Sequence, residues 1–343
     1  MAAPDPARVT TVLVTGGAGY IGSHSAKALR RAGHPVVIFD DLSAGHRAAA
    51  LGAPLIEGDV RDVDAVRRAI RESGAGAVAH FAAWLSAADS VRDPAGYYGN
   101  NVAGALATLE AMAAEQCRAF VFSSTCAVYG EPAEVPLLET HPVSPINAYG
   151  QTKLAVEQAL PHFERAYGIR SVRLRYFNAA GADPDGELGE DHAPEVHVVP
   201  RALQAAAGGR PFEIFGEDYP TPDGTCLRDY VHVSDVADAH VRALRRLLEG
   251  GGSATYNVGT ARPSSVREVL AAVERVTGRP VPRTSAARRP GDPAVLYASA
   301  SRIRGELGWE PQRPALDTIV GDAWRWHSAH PLGFRAAAGA GRE

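Results

Sequence analysis

Apolar residues along the first half of the chain recur with two periods in turn. Residues 9–15 (VTTVLVT), 35–39 (PVVIF), 55–57, 77–81, 119–123 (AFVFS) and 171–176 (SVRLRY) are short runs rich in β-branched and aromatic residues, which predicts buried strands. Between them, residues 23–32, 63–72, 104–115 and 154–167 space their apolar positions for helices, with Gly33 as the stop signal of the first. Strands alternating with helices of this length predict βαβ units around a parallel sheet. Past Asn178 the rhythm breaks. Gly, Pro and acidic residues crowd 179–194 as in a long loop, and helical patterns at 201–207, 233–248 and 265–277 then mix with short strands.

The predicted fold is therefore α/β: a doubly wound parallel sheet of the Rossmann type over residues 8–180, then a smaller C-terminal α/β substrate domain over 181–333. The boundary is expected to be interleaved, with part of 228–260 returning to the first domain. The Ala/Gly-rich end, 334–343, is expected to be a flexible tail.

Composition narrows the function. The 343 residues are 45% hydrophobic and 22% charged, enough apolar material for a sizeable core and too much for a disordered chain. A net charge of −4 argues against the basic face that nucleic acid needs. Cys117, Cys126 and Cys226 are too few and too scattered for a disulfide framework or a zinc site, so no metal is expected and a reducing compartment is. The first ten residues do not resemble a signal peptide, and the apolar stretch at 75–88 is broken by His80 and Ser86 and too short to span a bilayer. The expectation is a cytoplasmic protein without membrane partners.

The strongest local motif is Gly16-Gly17-Ala18-Gly19-Tyr20-Ile21-Gly22, set between the first strand and the first helix. Glycines there allow a tight turn, a close approach of backbone amides to a pyrophosphate, and close packing of helix on strand. The helix N-terminus adds partial positive charge. Asp40 ends the second strand, 18 residues after Gly22, where a carboxylate would bind adenosine ribose hydroxyls and repel a 2′-phosphate. The cofactor expected is thus NAD rather than NADP, with Asp41 adding to the same bias.

Tyr149 and Lys153 lie four residues apart, on one face if the segment is helical. On its own such a pair marks no more than a shared surface. A nearby ammonium would favour the phenolate, however, and bringing a phenol from a pKa near 10 to about 7 needs roughly 4 kcal/mol. Such a Tyr could take a proton from a substrate hydroxyl while hydride leaves the same carbon. Thr125, in the strand-ending FSST, offers a hydroxyl to the same oxygen, 24 residues before Tyr149.

Together these residues resemble the extended short-chain dehydrogenase/reductase family, and within it the nucleotide-sugar epimerases. The likeness runs from about Val9 to Pro331. It rests on TGGAGYIGSH (15–24), EGDVRD (57–62), HFAA (80–83), YYGNNVAG (97–104), FSSTCAVYG (122–130), NAYGQTK (147–153), LRYFNAAGA (174–182), FGEDYPTPDGTCLRDYVHV (215–233) and RRPGDPA (288–294).

The resemblance implies tightly held NAD, contacted by Tyr20, Ile21, Asp40, Asp59, Val60, Phe81, Ala82, Ala83, Asn100, Lys153 and Phe177 besides Gly16, Gly19 and Gly22. It implies Tyr149 as catalytic base, tuned by Lys153 and assisted by Thr125. Asn178, His197, Phe215, Arg228, Arg289 and Asp292 would hold a UDP-sugar, the two arginines as bidentate pyrophosphate clamps. Leu296 would border the sugar beside C2. The activity implied is inversion at C4 of UDP-glucose and UDP-galactose through a 4-keto intermediate, in a homodimer. A UDP-pentose or UDP-hexosamine substrate is the alternative.

Three positions depart from the common pattern: Thr125 where many members carry Ser, Leu85 where many epimerases carry Lys, and Leu296. A dehydratase would need an acid pair directly after Thr125; the chain has Cys126 and Ala127, neither of which can expel water.

Overall fold

The computed structural model describes residues 9–289 and 292–338. Its strands are β1 (Thr11–Thr15), β2 (Val36–Asp40), β3 (Leu55–Glu57), β4 (Ala75–His80), β5 (Ala119–Thr125), β6 (Arg170–Tyr176), β7 (Asn178–Ala180), β8 (Phe212–Phe215), β9 (Leu227–His232), β10 (Ala254–Val258), β11 (Pro263–Ser265), β12 (Arg283–Ala286) and β13 (Val295–Leu296). Seven of them make one sheet in the order β10-β6-β5-β4-β1-β2-β3, and all its pairings are parallel.

Side-chain alternation divides this sheet between two cores. Val12 and Val14 of β1 point to one face, where Ala26 and Leu29 of the helix Tyr20–Arg31 and Val236, Ala239 and Leu244 of the helix Val233–Leu248 are buried with them. Leu13 points to the other face, among Val66, Ile70, Leu109, Met112, Val156 and Leu160 of three further helices. Both faces are covered, which is why β5 is buried at all seven positions. Strand order reverses between β1 and β4. That reversal opens a crevice at the carboxyl ends of the strands, where ligands bind in open α/β sheets.

The rest of the chain builds a second layer. β11, β9 and β13 form a small sheet with β7 attached to β9, and β8 pairs with β12. The helices Val198–Ala206, Val266–Thr277 and Leu316–Ala329 close a separate core around Leu203, Ile214, Tyr230, Leu270 and Val320. The return to the main sheet is made by the helix Val233–Leu248 and by β10, which pairs with β6. β9 stays in the small sheet.

Four helices or ends differ from the sequence reading. The helix expected at 154–167 is Ala148–Tyr167, because Asn147 caps it by accepting the Gly150 amide at 2.9 Å. The helices expected from 23 and 201 start at Tyr20 and Val198. At the end expected to be flexible, Gly333–Ala338 form a short helical turn. Phe334 anchors it, its ring centroid 5.2 Å from that of Trp326. Residues 339–343 lie outside the described residues. Among the described residues no helix is long and apolar enough to cross a membrane.

Candidate active site

A cavity of about 330 Å³ opens at the crevice. Its floor is the glycine turn after β1. Gly16 has φ +69°, and a Cβ there would lie 2.4 Å from the Ala82 backbone nitrogen. A Cβ on Gly22 would lie 2.1 Å from the Gly16 carbonyl oxygen. Only glycine lets the turn nest between β4 and the helix start. No side chain caps that helix at Gly19, so its positive end is left for a ligand.

Asp40 ends β2 at the edge of the same cavity. Its carboxylate accepts the Ala18 amide and the Leu42 amide, each at 2.9 Å. Burial raises its pKa, and the two amides work against that rise. Asp41 accepts the Ser43 amide and hydroxyl at 2.9 and 2.6 Å. Tyr20, Ile21, Val60, Phe81, Ala82, Ala83, Asn100 and Phe177 also line the cavity. Asp59 does not. Its carboxylate accepts from the Arg61 guanidinium, between the cavity-lining Gly58 and Val60.

The capped start of the helix Ala148–Tyr167 puts a half-buried Tyr149 in the first turn and a buried Lys153 one turn on, both on the cavity with Thr125 of β5. The Lys153 ammonium donates to the Ser123 carbonyl at 2.8 Å and stands 5.1 Å from the Phe122 ring centroid. Burial lowers its pKa to about 7, and Glu157 one turn further holds it up. Burial raises the Tyr149 phenol strongly, with Thr125 hydrogen bonding in the opposite direction.

Beneath them Glu157 is locked to Arg175, with oxygen–nitrogen distances of 2.5 to 3.2 Å, and Ser124 donates to it at 2.5 Å.

The expected sugar-binding residues separate into groups. Asn178 and His197 line the main cavity. Phe215, Arg289 and Asp292 line a smaller cavity beside it, with the Arg289 guanidinium 3.8 Å from the Phe215 ring centroid. Arg228, in β9, lines neither cavity and is ion-paired with Asp292. Leu296 is 9% exposed and packs with Val128, Tyr129, Leu154 and Phe177; its side chain is not part of the cavity lining. Leu85 does line the cavity, next to a half-exposed Trp84.

Several lining residues escaped the sequence reading: Trp84, Ser123, Cys126, Tyr176 and His192. His192 belongs to a cluster with His197, Glu190 and Glu195. Burial disfavours charge on the two imidazoles, but the two carboxylates outweigh it and lift His192 to about 9 and His197 to about 10. The alternation of Glu and His through 190–197 (EDHAPEVH) was the available signal.

The sequence profile of the NAD dependent epimerase/dehydratase family matches residues 12–259. The UDP-glucose 4-epimerase of Azospirillum brasilense is 52% identical over 317 residues, which are 92% of this chain and 91% of that protein. The crystal structure of UDP-glucose 4-epimerase from Brucella ovis in complex with NAD is similar at a TM-score of 0.90 and 47% identity, covering 92% of this chain and 98% of that one. The UDP-glucose-4-epimerase from Stenotrophomonas maltophila with bound NAD and formylated UDP-arabinopyranose is similar at a TM-score of 0.91 and 40% identity, over 94% of this chain and 99% of that one.

Proposed function

The chain belongs to the NAD dependent epimerase/dehydratase family, and from that premise we propose that it inverts C4 of a UDP-sugar, with UDP-glucose and UDP-galactose as the preferred pair. The observation that carries this reading is one cavity holding the glycine turn, Asp40, Tyr149, Lys153 and Thr125. Cys126 and Ala127 after Thr125 set the reaction apart from a dehydration, since neither side chain can act as the acid that expels water.

The residues fit NAD. The Gly16 and Gly22 cradle, which a Cβ would fill, and the uncapped helix end suit a pyrophosphate, and Asp40 suits ribose hydroxyls. When bound, NAD supplies the acceptor that takes hydride from C4 and gives it back to the opposite face. Tyr149 takes the O4 proton as hydride leaves and returns it when the ketone is reduced. Thr125 hydrogen-bonds the same oxygen and keeps it against the phenol. Lys153, fixed on the Ser123 carbonyl, orients the ribose side of the cofactor and brings positive charge to the site. Phe215, Arg228, Arg289 and Asp292 hold the nucleotide, so that the sugar can turn while the UDP part stays. In this reading residues 8–180, joined by 233–248 and 254–258, bind NAD, and the remainder of 181–333 binds the nucleotide sugar. The enzyme works as a homodimer in the cytoplasm.

The test is incubation of the purified protein with UDP-galactose and no added NAD. UDP-glucose should accumulate to a constant ratio, and denaturation should release NAD. A requirement for added NAD with stoichiometric reduction, or a dehydrated product, would overturn the proposal.

A further inference from the structure

We propose that Glu190, His192, Glu195 and His197 form a zinc-class divalent-cation site beside the active site. All four fall within the eight residues that precede the helix Val198–Ala206. One donor atom from each lies within 4.8 Å of the others. Both imidazoles turn Nδ1 inward. His192 Nδ1 is 3.2 Å from Glu190 Oε1 and 3.6 Å from Glu195 Oε2, and His197 Nδ1 is 3.4 Å from Glu195 Oε1. A tetrahedron of zinc bonds of about 2.0–2.2 Å has edges of roughly 3.3–3.6 Å. With Glu195 Oε1 as that residue's donor, two separations, 3.2 and 3.4 Å, have the spacing that a tetrahedral ion imposes, and the 3.6 Å contact belongs to the other Glu195 oxygen. The fourth, His197 Nδ1 to Glu190 Oε1 at 2.5 Å, would have to open by about 1 Å.

A second observation concerns what surrounds these atoms. Glu190 Oε1, His192 Nδ1 and His197 Nδ1 are buried and face only one another and Glu195, with no hydrogen-bond partner outside the four residues, and the Glu190 side chain is only 3% exposed. Buried polar atoms are otherwise almost always satisfied. Glu195 is already oriented, because the Val196 and His197 amides donate to its Oε1 at 2.7 and 2.8 Å. Such outer contacts position metal ligands.

The donor set selects the ion. Two imidazole nitrogens and two carboxylates suit zinc, whereas magnesium and calcium take oxygen ligands. Binding releases the proton that each imidazole shares with the carboxylates, and two carboxylates, two neutral imidazoles and a divalent ion then leave the buried site without net charge. Its role is structural: it ties the segment carrying His192 and His197, which line the cavity, to the start of the next helix. The inference goes beyond the epimerase reading and stands apart from it, since no catalytic step uses the ion.

The experiment uses the full chain with its resident cofactor, stripped by a chelator and titrated with zinc chloride. One zinc per chain by elemental analysis is expected, with a melting temperature several degrees higher than in the stripped protein. Cobalt(II) should give the intense visible bands of a tetrahedral ion, a readout that does not depend on any variant folding. Glu190→Gln and His192→Gln should each lose stoichiometric zinc, and magnesium should not raise the melting temperature. The four groups would be only an ion-paired cluster if zinc left the melting temperature unchanged and cobalt showed no tetrahedral bands. Equal zinc retention in both variants would mark surface binding. Either result overturns the proposal.

Discussion

Along one part of the cavity, the glycine turn and Phe81 follow directly on β1 and β4, and Asp40 is the last residue of β2, all in a single sheet. Elsewhere the lining and its surroundings draw on separate segments: Asn178 on β7, His192 and His197 from a long loop, and Phe215, Arg289 and Asp292 from around the small sheets. In the first region a few consecutive residues carry both the backbone geometry and the chemistry. In the second, function depends on tertiary packing of residues more than a hundred positions apart. Single changes in the first region should therefore abolish a step, and those in the second should erode binding by degrees.

The largest effect is expected at Tyr149. Tyr149→Phe keeps the ring in its half-buried place and removes the hydroxyl proposed to exchange the O4 proton. Turnover should fall by about 10²–10⁴ while NAD content stays at the wild-type level. The check is a coupled assay beside cofactor release on the same preparation. Turnover within tenfold of wild type would take the base role from Tyr149 and weaken the contrast between the regions.

Next come two ion pairs, one in each region. Arg175 and Glu157, beneath the catalytic residues, are 8% and 5% exposed, and removing one partner strands the other. Glu157→Ala should cost about 3–5 kcal/mol of stability. Arg228 and Asp292 are 10% and 28% exposed, so water can replace the lost carboxylate, and Asp292→Ala should cost about 1 kcal/mol or less. Denaturant titration of both variants measures the difference, and equal losses would remove the distinction.

Much of the first region was legible because local signals agreed. Strand, glycines, helix and Asp40 follow in order, and the structure brings them to one cavity. The start of the catalytic helix was misjudged by six residues, since apolar spacing said nothing about the Asn147 cap. The second region was legible only through resemblance. The sequence alone could not show Arg228 paired with Asp292, Asp59 folded back on Arg61, or Leu296 within an apolar cluster. Each of these is decided by which neighbour the fold supplies. The His/Glu alternation at 190–197 stands in the sequence, but only the fold, which brings the four side chains together, distinguishes it from a polar loop.

The sheet-side region should also be the acid-sensitive one. Burial lowers His24 to about 4, His80 to about 3 and His240 to about 4. These imidazoles stay neutral in the fold, whereas the unfolded chain takes up protons below about 6.5. The unfolded state then binds more protons, so stability falls as pH drops from about 6.5, by up to about 1.4 kcal/mol per pH unit for each group. Replacing His80, which contacts Thr15 Oγ1 at 2.8 Å, by Asn should flatten that acid limb in melting curves taken from pH 7 to 5. An unchanged slope would mean other groups set it.

A smaller effect, of about tenfold, is expected at Asp40. Asp40→Ala removes a carboxylate that holds the turn through Ala18 and Leu42 and that, in the proposed reading, binds the ribose. NAD retention should fall by about tenfold, in line with about 1.5 kcal/mol for a hydrogen bond to a charged group. Tolerance of NADP should rise, since the repulsion of a 2′-phosphate is gone. Reconstitution of stripped protein with each cofactor gives both numbers, and NADP found in the wild type would sink the idea.

The smallest functional effect is expected at Leu296, where the resemblance and the packing point in different directions. By resemblance the side chain borders C2 of the sugar, and a larger residue there would exclude N-acetylated substrates. In the structure it is packed with Phe177 and Leu154 and has no share in the cavity lining. A tyrosine must then displace neighbours in a filled cluster, which costs about 1–3 kcal/mol of stability. Because Phe177 lines the cavity, the strain reaches both kinds of sugar alike. Leu296→Tyr should therefore lower the melting temperature, and the ratio of kcat/KM for UDP-glucose to that for UDP-N-acetylglucosamine should stay within about threefold, less than 1 kcal/mol of discrimination. A tenfold shift in that ratio with an unchanged melting temperature would mean that Leu296 reaches the sugar. The region would then hold a specificity residue whose role depends on rearrangement around the substrate.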